Sequence, residues 1–200
     1  MTREHTLPGY VAIALAVLFP VYWFTALWYG LAAGSFSADI TRLGPMDGLF
    51  VLIGGMEIYL YLSLRRIIKN QLQGGVCAVL LLIMAIAAAL LTATVLFDLG
   101  LSLSGEFTNP IRDSLVVAAS AWFMVTGFIL GLTGLALSIA LLVTDAGSAT
   151  TLKVFAVMLL ISSLLALSII LSPLSFVTYP VAFLTLGIFF LRGGYEAEVV

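Results

Sequence analysis

The chain has 200 residues, of which 62% are hydrophobic and only 9% are charged, and its formal net charge is −2. Soluble domains are about 45–50% apolar and about 25% charged. This composition therefore excludes a soluble globular domain and a disordered chain, and it predicts an all-α integral membrane protein.

Residue types that commonly carry chemistry are scarce. His5 is the single histidine and Cys77 the single cysteine, which excludes a bis-His haem site, a His-rich metal site and an internal disulfide. Phosphate-loop, dinucleotide, HExxH and Gly-x-Ser-x-Gly motifs do not occur. No basic run is long enough to bind nucleic acid. We therefore expect no cofactor, no metal site and no nucleic-acid partner.

Six apolar runs follow one another along the chain, each with about the 17 or more residues that a spanning helix needs. They cover residues 8–33, 48–64, 76–97, 114–143, 152–171 and 174–191. The last two runs are separated only by a turn signal, Ser172-Pro173-Leu174-Ser175. The sequence predicts one transmembrane domain over residues 1–200, a bundle of six helices with short loops.

Basic residues are distributed unequally between the two predicted sides of the membrane. With six spans, Arg42 and Arg112 lie on one side and the other six basic residues lie on the side of both termini. By the positive-inside rule, both termini are predicted to be cytoplasmic, in a plasma or inner membrane. The six are Arg3, Arg65, Arg66, Lys69, Lys153 and Arg192.

The second run has one carboxylate, Glu57, near its middle. A charged carboxylate at the centre of a spanning helix costs about 2.5–3.5 kcal/mol on insertion scales, so a partner, water or protonation has to offset that cost. At about 100° per residue, Gly54 and Tyr61 share the arc of Glu57, and Asp47 and Arg65 extend it towards the two ends. The opposite, lipid-like side is predicted to contain Leu49, Leu52, Met56 and Leu60.

Glu57 has two interpretations that the sequence does not separate. In the first, Glu57 and Tyr61 form an ion, proton or polar-ligand site, with Asp47 and Asp98 as further ligand- or ion-binding candidates. In the second, Glu57 is a buried hydrogen-bonding group that fixes helix packing. Gly54 leaves space beside it for a neighbouring helix, water or a ligand.

Small residues predict helix contacts on two further spans. Gly127, Gly131 and Gly134 lie on one narrow stripe of the fourth span, where small residues let two backbones approach closely. The pair Ala12 and Ala16 on the first span suits close docking in the same way. These stripes predict packing against other membrane helices, within this chain or in a homo- or hetero-oligomer.

Three classes of function are compatible with these features. The first is a non-enzymatic accessory, assembly or regulatory subunit that acts through helix contacts in the lipid bilayer. The alternative is a small transporter, channel or membrane solute-binding component with its polar site around Glu57 and Tyr61. A lipid-directed enzyme ranks last, because it requires Glu57, Asp98 or Asp113 to meet in space. The sequence leans against an enzyme.

Overall fold

The computed structural model describes residues 3–33, 44–71, 75–103, 109–144, 150–168 and 170–193. All regular structure in these ranges is helical, and Arg42 lies outside them. The helices are α1 (Arg3–Ala33), α2 (Pro45–Gln71), α3 (Gly75–Thr92), α4 (Val95–Leu103), α5 (Asn109–Val143), α6 (Thr150–Leu167) and α7 (Ser172–Leu191).

Six helical segments are long and apolar enough to cross a membrane, with α3 and α4 together forming one of them, Gly75–Ser102. This confirms the predicted all-helical architecture with six such helices. The predicted third span, residues 76–97, is wrong in one respect, because the chain is not continuously helical there. Ala93 and Thr94 form a turn between α3 and α4.

The six segments form a closed ring. Going round it, α1 packs on α2, α2 on α3, α3 on α5, α5 on α6, α6 on α7, and α7 again on α1. We call the upper end of the ring the end at which α2, α5 and α7 begin. Apolar side chains fill much of the interior, and these are among the fully buried ones: Leu15, Leu60, Leu81, Leu137, Phe155 and Phe183.

The buried face of α2 is one continuous stripe with Glu57 at its centre. Ile53, Leu60 and Leu64 are buried on the same stripe, at the spacings of three and four residues that place side chains on one helix face. The assignment of Leu60 to the lipid-like side was therefore wrong. Leu60 is only about 60° from Glu57 at 3.6 residues per turn, and it lies inside the ring.

Close contact between α1 and α7 depends on small residues. A Cβ atom on Gly9 would lie 3.3 Å from the Gly187 carbonyl oxygen, and one on Gly187 would lie 3.2 Å from the Gly9 carbonyl oxygen. Ala12 is fully buried at this crossing. The small-residue face of α1 thus packs on α7 of the same chain.

The connection between α6 and α7 is short, because α6 ends at Leu167 and α7 begins at Ser172. The sequence predicted the turn at Ser172-Pro173-Leu174-Ser175. That prediction is wrong, because these four residues form the first turn of α7. Pro173 lies in the first turn of α7, where its missing N–H has no intrahelical partner to lose.

Helix α5 is much longer than its neighbour α6. Gly131 of α5 lies opposite Leu167, the last residue of α6, since a Cβ atom on Gly131 would be 3.0 Å from the Leu167 Cδ2 atom. The part of α5 before Gly131 therefore extends past the end of α6. Residues 121–125 there are all exposed, while Ala119 and Thr126 on either side of them are buried.

Candidate polar site inside the helix ring

Glu57 lies inside the ring, with 7% of its surface exposed. Gly54, one turn away, allows α3 to approach: a Cβ atom there would overlap the side chain of Thr92. The space that Gly54 leaves is therefore occupied by a neighbouring helix. Close contact of α2 with α3 fixes the rotation of α2, and that rotation points Glu57 to the interior.

Two tyrosines accompany the carboxyl group of Glu57. Tyr61 lies one turn along α2 and is 2% exposed, and Tyr179 of α7 is 9% exposed. Glu57 lies close enough to both for its charge to act on their phenol groups. The structure thus brings together the predicted pair Glu57 and Tyr61 and adds Tyr179 from a distant part of the sequence.

Ser163 of α6 adds a further hydroxyl group to the site. Its side chain faces Gly134 of α5, where a Cβ atom would lie 2.6 Å from the Ser163 Oγ atom. The phenol group of Tyr179 lies near Ser163. Its position does not give a well-formed hydrogen bond, so the buried Ser163 Oγ atom has no hydrogen-bond partner among the described residues. Ser162, its neighbour, instead donates to the Met158 carbonyl oxygen at 2.7 Å. Ser163 therefore keeps unused hydrogen-bonding capacity inside the ring.

No positive charge lies near Glu57 on the helices that form this site. Arg65 is about 12 Å away along α2, and Lys153 is about 15 Å from Ser163 along α6, at 1.5 Å of rise per residue. Within the described ranges, neither a hydrogen bond nor an ion pair reaches the Glu57 carboxyl group. A carboxyl group inside the ring without such a partner is costly unless water, protonation or a bound ligand offsets the cost. The Glu57 oxygen atoms are not among the fully enclosed side-chain atoms without a partner in the described ranges.

An aromatic layer covers the polar site towards the upper end of the ring. Trp23 of α1 stacks on Phe176 of α7, with ring centroids 4.6 Å apart and 7° between the planes. It also contacts Phe123 of α5 at 6.2 Å. Tyr22 contacts Trp23 and stacks on Phe50 of α2 at 5.4 Å. We call these five residues the upper aromatic layer.

Phe19 and Phe183 join this layer to the polar site. The ring of Phe19 lies 5.7 Å from that of Tyr179 and 5.8 Å from that of Phe183, and Tyr179 lies 6.2 Å from Phe183. One side of the polar site is thus lined by aromatic rings, and no pattern within a single helix groups them.

The other predicted acidic residues lie elsewhere. The Asp47 carboxylate accepts a hydrogen bond of 2.7 Å from the Gly44 N–H at the start of α2, about 15 Å along the helix from Glu57. Asp98 lies on α4, beyond the break in the third span. Asp113 is exposed near the start of α5, about 30 Å along the helix from Gly134. The structure therefore does not bring Glu57, Asp98 and Asp113 together.

Within the described chain, two of the three predicted glycines of α5 pack against α6. Gly131 and Gly134 face α6, but a Cβ atom on Gly127 would meet no atom of another helix within 4 Å in the described part of the chain. The reason is the length mismatch: α6 ends opposite Gly131, so nothing from α6 reaches Gly127.

Tyr179 and Ser163 were missed by sequence reasoning, although a signal was present. Both are polar residues within long uncharged runs, Tyr179 directly before Pro180 and Ser163 directly after Ser162. Helical periodicity within one run could not show that they face a carboxyl group on another. The sequence matches no protein-family model, and no curated protein or solved structure is similar to it.

Proposed function

We propose that the chain is a multi-pass integral membrane protein with both termini on the cytoplasmic side. Six helical segments have suitable length and hydropathy, and the unequal distribution of Lys and Arg supports the orientation. Large apolar side chains cover the outside of the ring, where lipid would surround them. Examples with exposed surfaces are Val79, Ile86, Met124, Ile139, Val157 and Leu184.

Within that class we propose a small transporter or membrane solute-binding component whose binding site is centred on Glu57. The observation that supports it is the buried carboxyl group without a hydrogen bond or ion pair in the described part of the chain. Tyr61, Tyr179 and Ser163 supply further polar groups around it. A residue that only fixed helix packing would be expected to form a hydrogen bond to a neighbouring helix.

A thermal-stability screen tests this function. The purified protein in lipid nanodiscs is heated with a panel of small cations, anions, amino acids, sugars and nucleosides. A ligand that binds the folded state at 100 times its Kd stabilises it by about 2.7 kcal/mol. We expect a compound in the panel to raise the Tm of the parent and to leave the Tm of Glu57→Leu unchanged. Equal shifts in parent and variant would contradict a site at Glu57.

An accessory subunit that binds other membrane helices is the second candidate. It is favoured by the upper part of α5, where Met124 and Val125 are 73% and 58% exposed and form an apolar surface on the outside of the ring. A partner helix would cover such a segment. Native mass spectrometry of the protein from its own membrane tests this. A stable complex that is lost with Met124→Lys, and no solute effect in the screen, would favour this function over the first.

A further inference from the structure

We propose that the site centred on Glu57 takes a primary alkylammonium ion, an inference that depends on the solute-binding function proposed above. The ammonium group would bind the Glu57 carboxylate, and the alkyl part would lie against Phe19 and Phe183.

The charge of the site indicates a cation. Glu57 has no basic residue near it on α2, α6 or α7. Arg65 is about 12 Å from Glu57 along α2, and Lys153 is about 15 Å from Ser163 along α6. A carboxylate in a low-dielectric interior is stabilised by a positive charge in contact with it. An anionic solute would add repulsion to the cost of burial.

The donor set does not suit a divalent metal ion. Ca²⁺ takes six to eight oxygen ligands and Mg²⁺ takes six in near-octahedral geometry. Glu57 supplies one carboxylate, the tyrosines beside it are neutral phenol groups, and Ser163 next to Tyr179 is a neutral hydroxyl group. No group of three His, Cys, Asp or Glu side chains that could hold a metal ion occurs among the described residues.

A primary ammonium group matches these neighbours better, because it has three N–H donors and no acceptor. The carboxylate of Glu57 accepts a charge-assisted hydrogen bond. The Ser163 Oγ atom is buried and lacks a full hydrogen bond within the described chain, so it can accept another. The hydroxyl of Tyr179, which interacts with both Ser163 and Glu57, adds a neutral oxygen atom to the same site.

The aromatic side of the site suits the organic part of such an ion. Phe19, Tyr179 and Phe183 lie together, with their ring centroids 5.7 to 6.2 Å apart. Ring faces attract ammonium groups electrostatically, and ring edges and faces bury alkyl groups. A bare alkali ion would gain nothing from the apolar part of this lining.

The experiment compares n-butylammonium, n-butanol and sodium ions as probes, by isothermal titration calorimetry of the protein in nanodiscs. n-Butanol has the same alkyl chain without the charge. We expect saturable binding of n-butylammonium that neither n-butanol nor sodium reproduces. Binding of n-butylammonium to Glu57→Gln should be weaker by about tenfold or more, because the charged acceptor is lost.

Two adjacent serines supply a matched pair of variants. Ser163→Ala removes the unused acceptor and should weaken n-butylammonium binding about threefold or more. Ser162→Ala should leave it unchanged, because that hydroxyl is engaged with the Met158 carbonyl oxygen. Tyr179→Phe removes only a hydroxyl group and serves as a further variant if Glu57→Gln does not fold.

The outcomes separate this inference from the function on which it depends. If n-butylammonium binds no better than n-butanol, or binds parent and Glu57→Gln equally, the ammonium assignment is wrong. If an anionic or neutral compound then stabilises the parent and not Glu57→Leu, the solute-binding function is supported although the ammonium assignment is wrong. If no compound distinguishes parent from Glu57→Leu, both proposals are wrong.

Discussion

The indole Nε1 atom of Trp122 donates a hydrogen bond of 2.8 Å to the carbonyl oxygen of Leu90, linking α5 to the break between α3 and α4. In a continuous helix that carbonyl would accept from the N–H of Thr94. Here the Thr94 N–H donates to the Leu91 carbonyl oxygen instead, at 3.1 Å. The indole therefore satisfies the carbonyl group that the break releases.

We expect Trp122→Phe to lower the free energy of unfolding by about 1–3 kcal/mol, the cost of leaving the Leu90 carbonyl oxygen without its partner on a surface that lipid or detergent covers. The measurement is chemical denaturation in detergent micelles. Trp28→Phe is the matched control, because Trp28 is 72% exposed and the same ring is exchanged. Equal stability of the two variants would show that the indole bond does not support the break.

Gly131 and Gly127 of α5 provide a second comparison of stability. Gly131 faces the Leu167 side chain, whereas Gly127 faces open space. Gly131→Leu should lower stability by about 1–3 kcal/mol through overpacking, since even a Cβ atom there would lie 3.0 Å from the Leu167 side chain. Gly127→Leu has open space and should gain up to about 1 kcal/mol of helix propensity. Thermal unfolding of both variants in nanodiscs is the measurement. A harmless Gly131→Leu would mean that α5 and α6 do not pack at this point.

The stability of Glu57→Leu separates a ligand site from a packing element. A buried carboxyl group without a hydrogen bond costs free energy that an apolar side chain of similar size does not. Glu57→Leu should therefore raise the free energy of unfolding by about 1–3 kcal/mol while abolishing solute binding. A packing role predicts the opposite sign, a less stable Leu variant. Denaturation without added solutes measures the difference.

The sequence was most informative about single helices. Helical spacing placed Glu57 and Tyr61 on one arc of α2, and both are buried. It did not show how far the buried face extends around the helix, so Leu60 was assigned to the wrong side. The choice of neighbour does not follow from spacing, so Tyr179 and Ser163 could not be assigned to Glu57.

The break between α3 and α4 at Thr94 could not be predicted from the sequence either, since it contains no Gly or Pro. There, Thr92 and Thr94 donate side-chain hydrogen bonds to the carbonyl oxygens of Ala88 and Leu91, each at 2.7 Å, and such bonds compete with the helical backbone pattern.

Orientation in the membrane is tested by labelling single cysteines in a Cys77→Ala background, since Cys77 is fully buried. Asn70→Cys lies at the end of α2 and Ser102→Cys on α4, and both positions are exposed. The distribution of basic residues predicts that an impermeant maleimide labels the Asn70→Cys variant only after the cytoplasmic face is opened. The Ser102→Cys variant should react in intact cells. The reverse pattern would overturn the proposed topology.

The upper aromatic layer is expected to control access to the polar site from the outer side. Trp23 holds it together, because it contacts both Phe176 and Phe123, and α6 does not extend far enough to close the gap beside Gly127. In the Cys77→Ala background, Ser163→Cys places a thiol at the polar site. Methanethiosulfonate reagents should modify it slowly in the parent and about tenfold faster with Trp23→Ala, a change in access free energy of about 1.4 kcal/mol.

Trp28→Ala is the control for this measurement, because it removes the same side chain from an exposed position on the same helix. It should leave the modification rate of Ser163→Cys unchanged, and Ser102→Cys should react at one rate in all backgrounds. Stacked rings such as Trp23 and Phe176 contribute about 0.5–1.5 kcal/mol beyond their buried area, which is similar in size to the access change expected. If Trp23→Ala does not alter the rate, or the reagent reaches Ser163→Cys faster from the cytoplasmic side, the route to Glu57 does not pass through this layer.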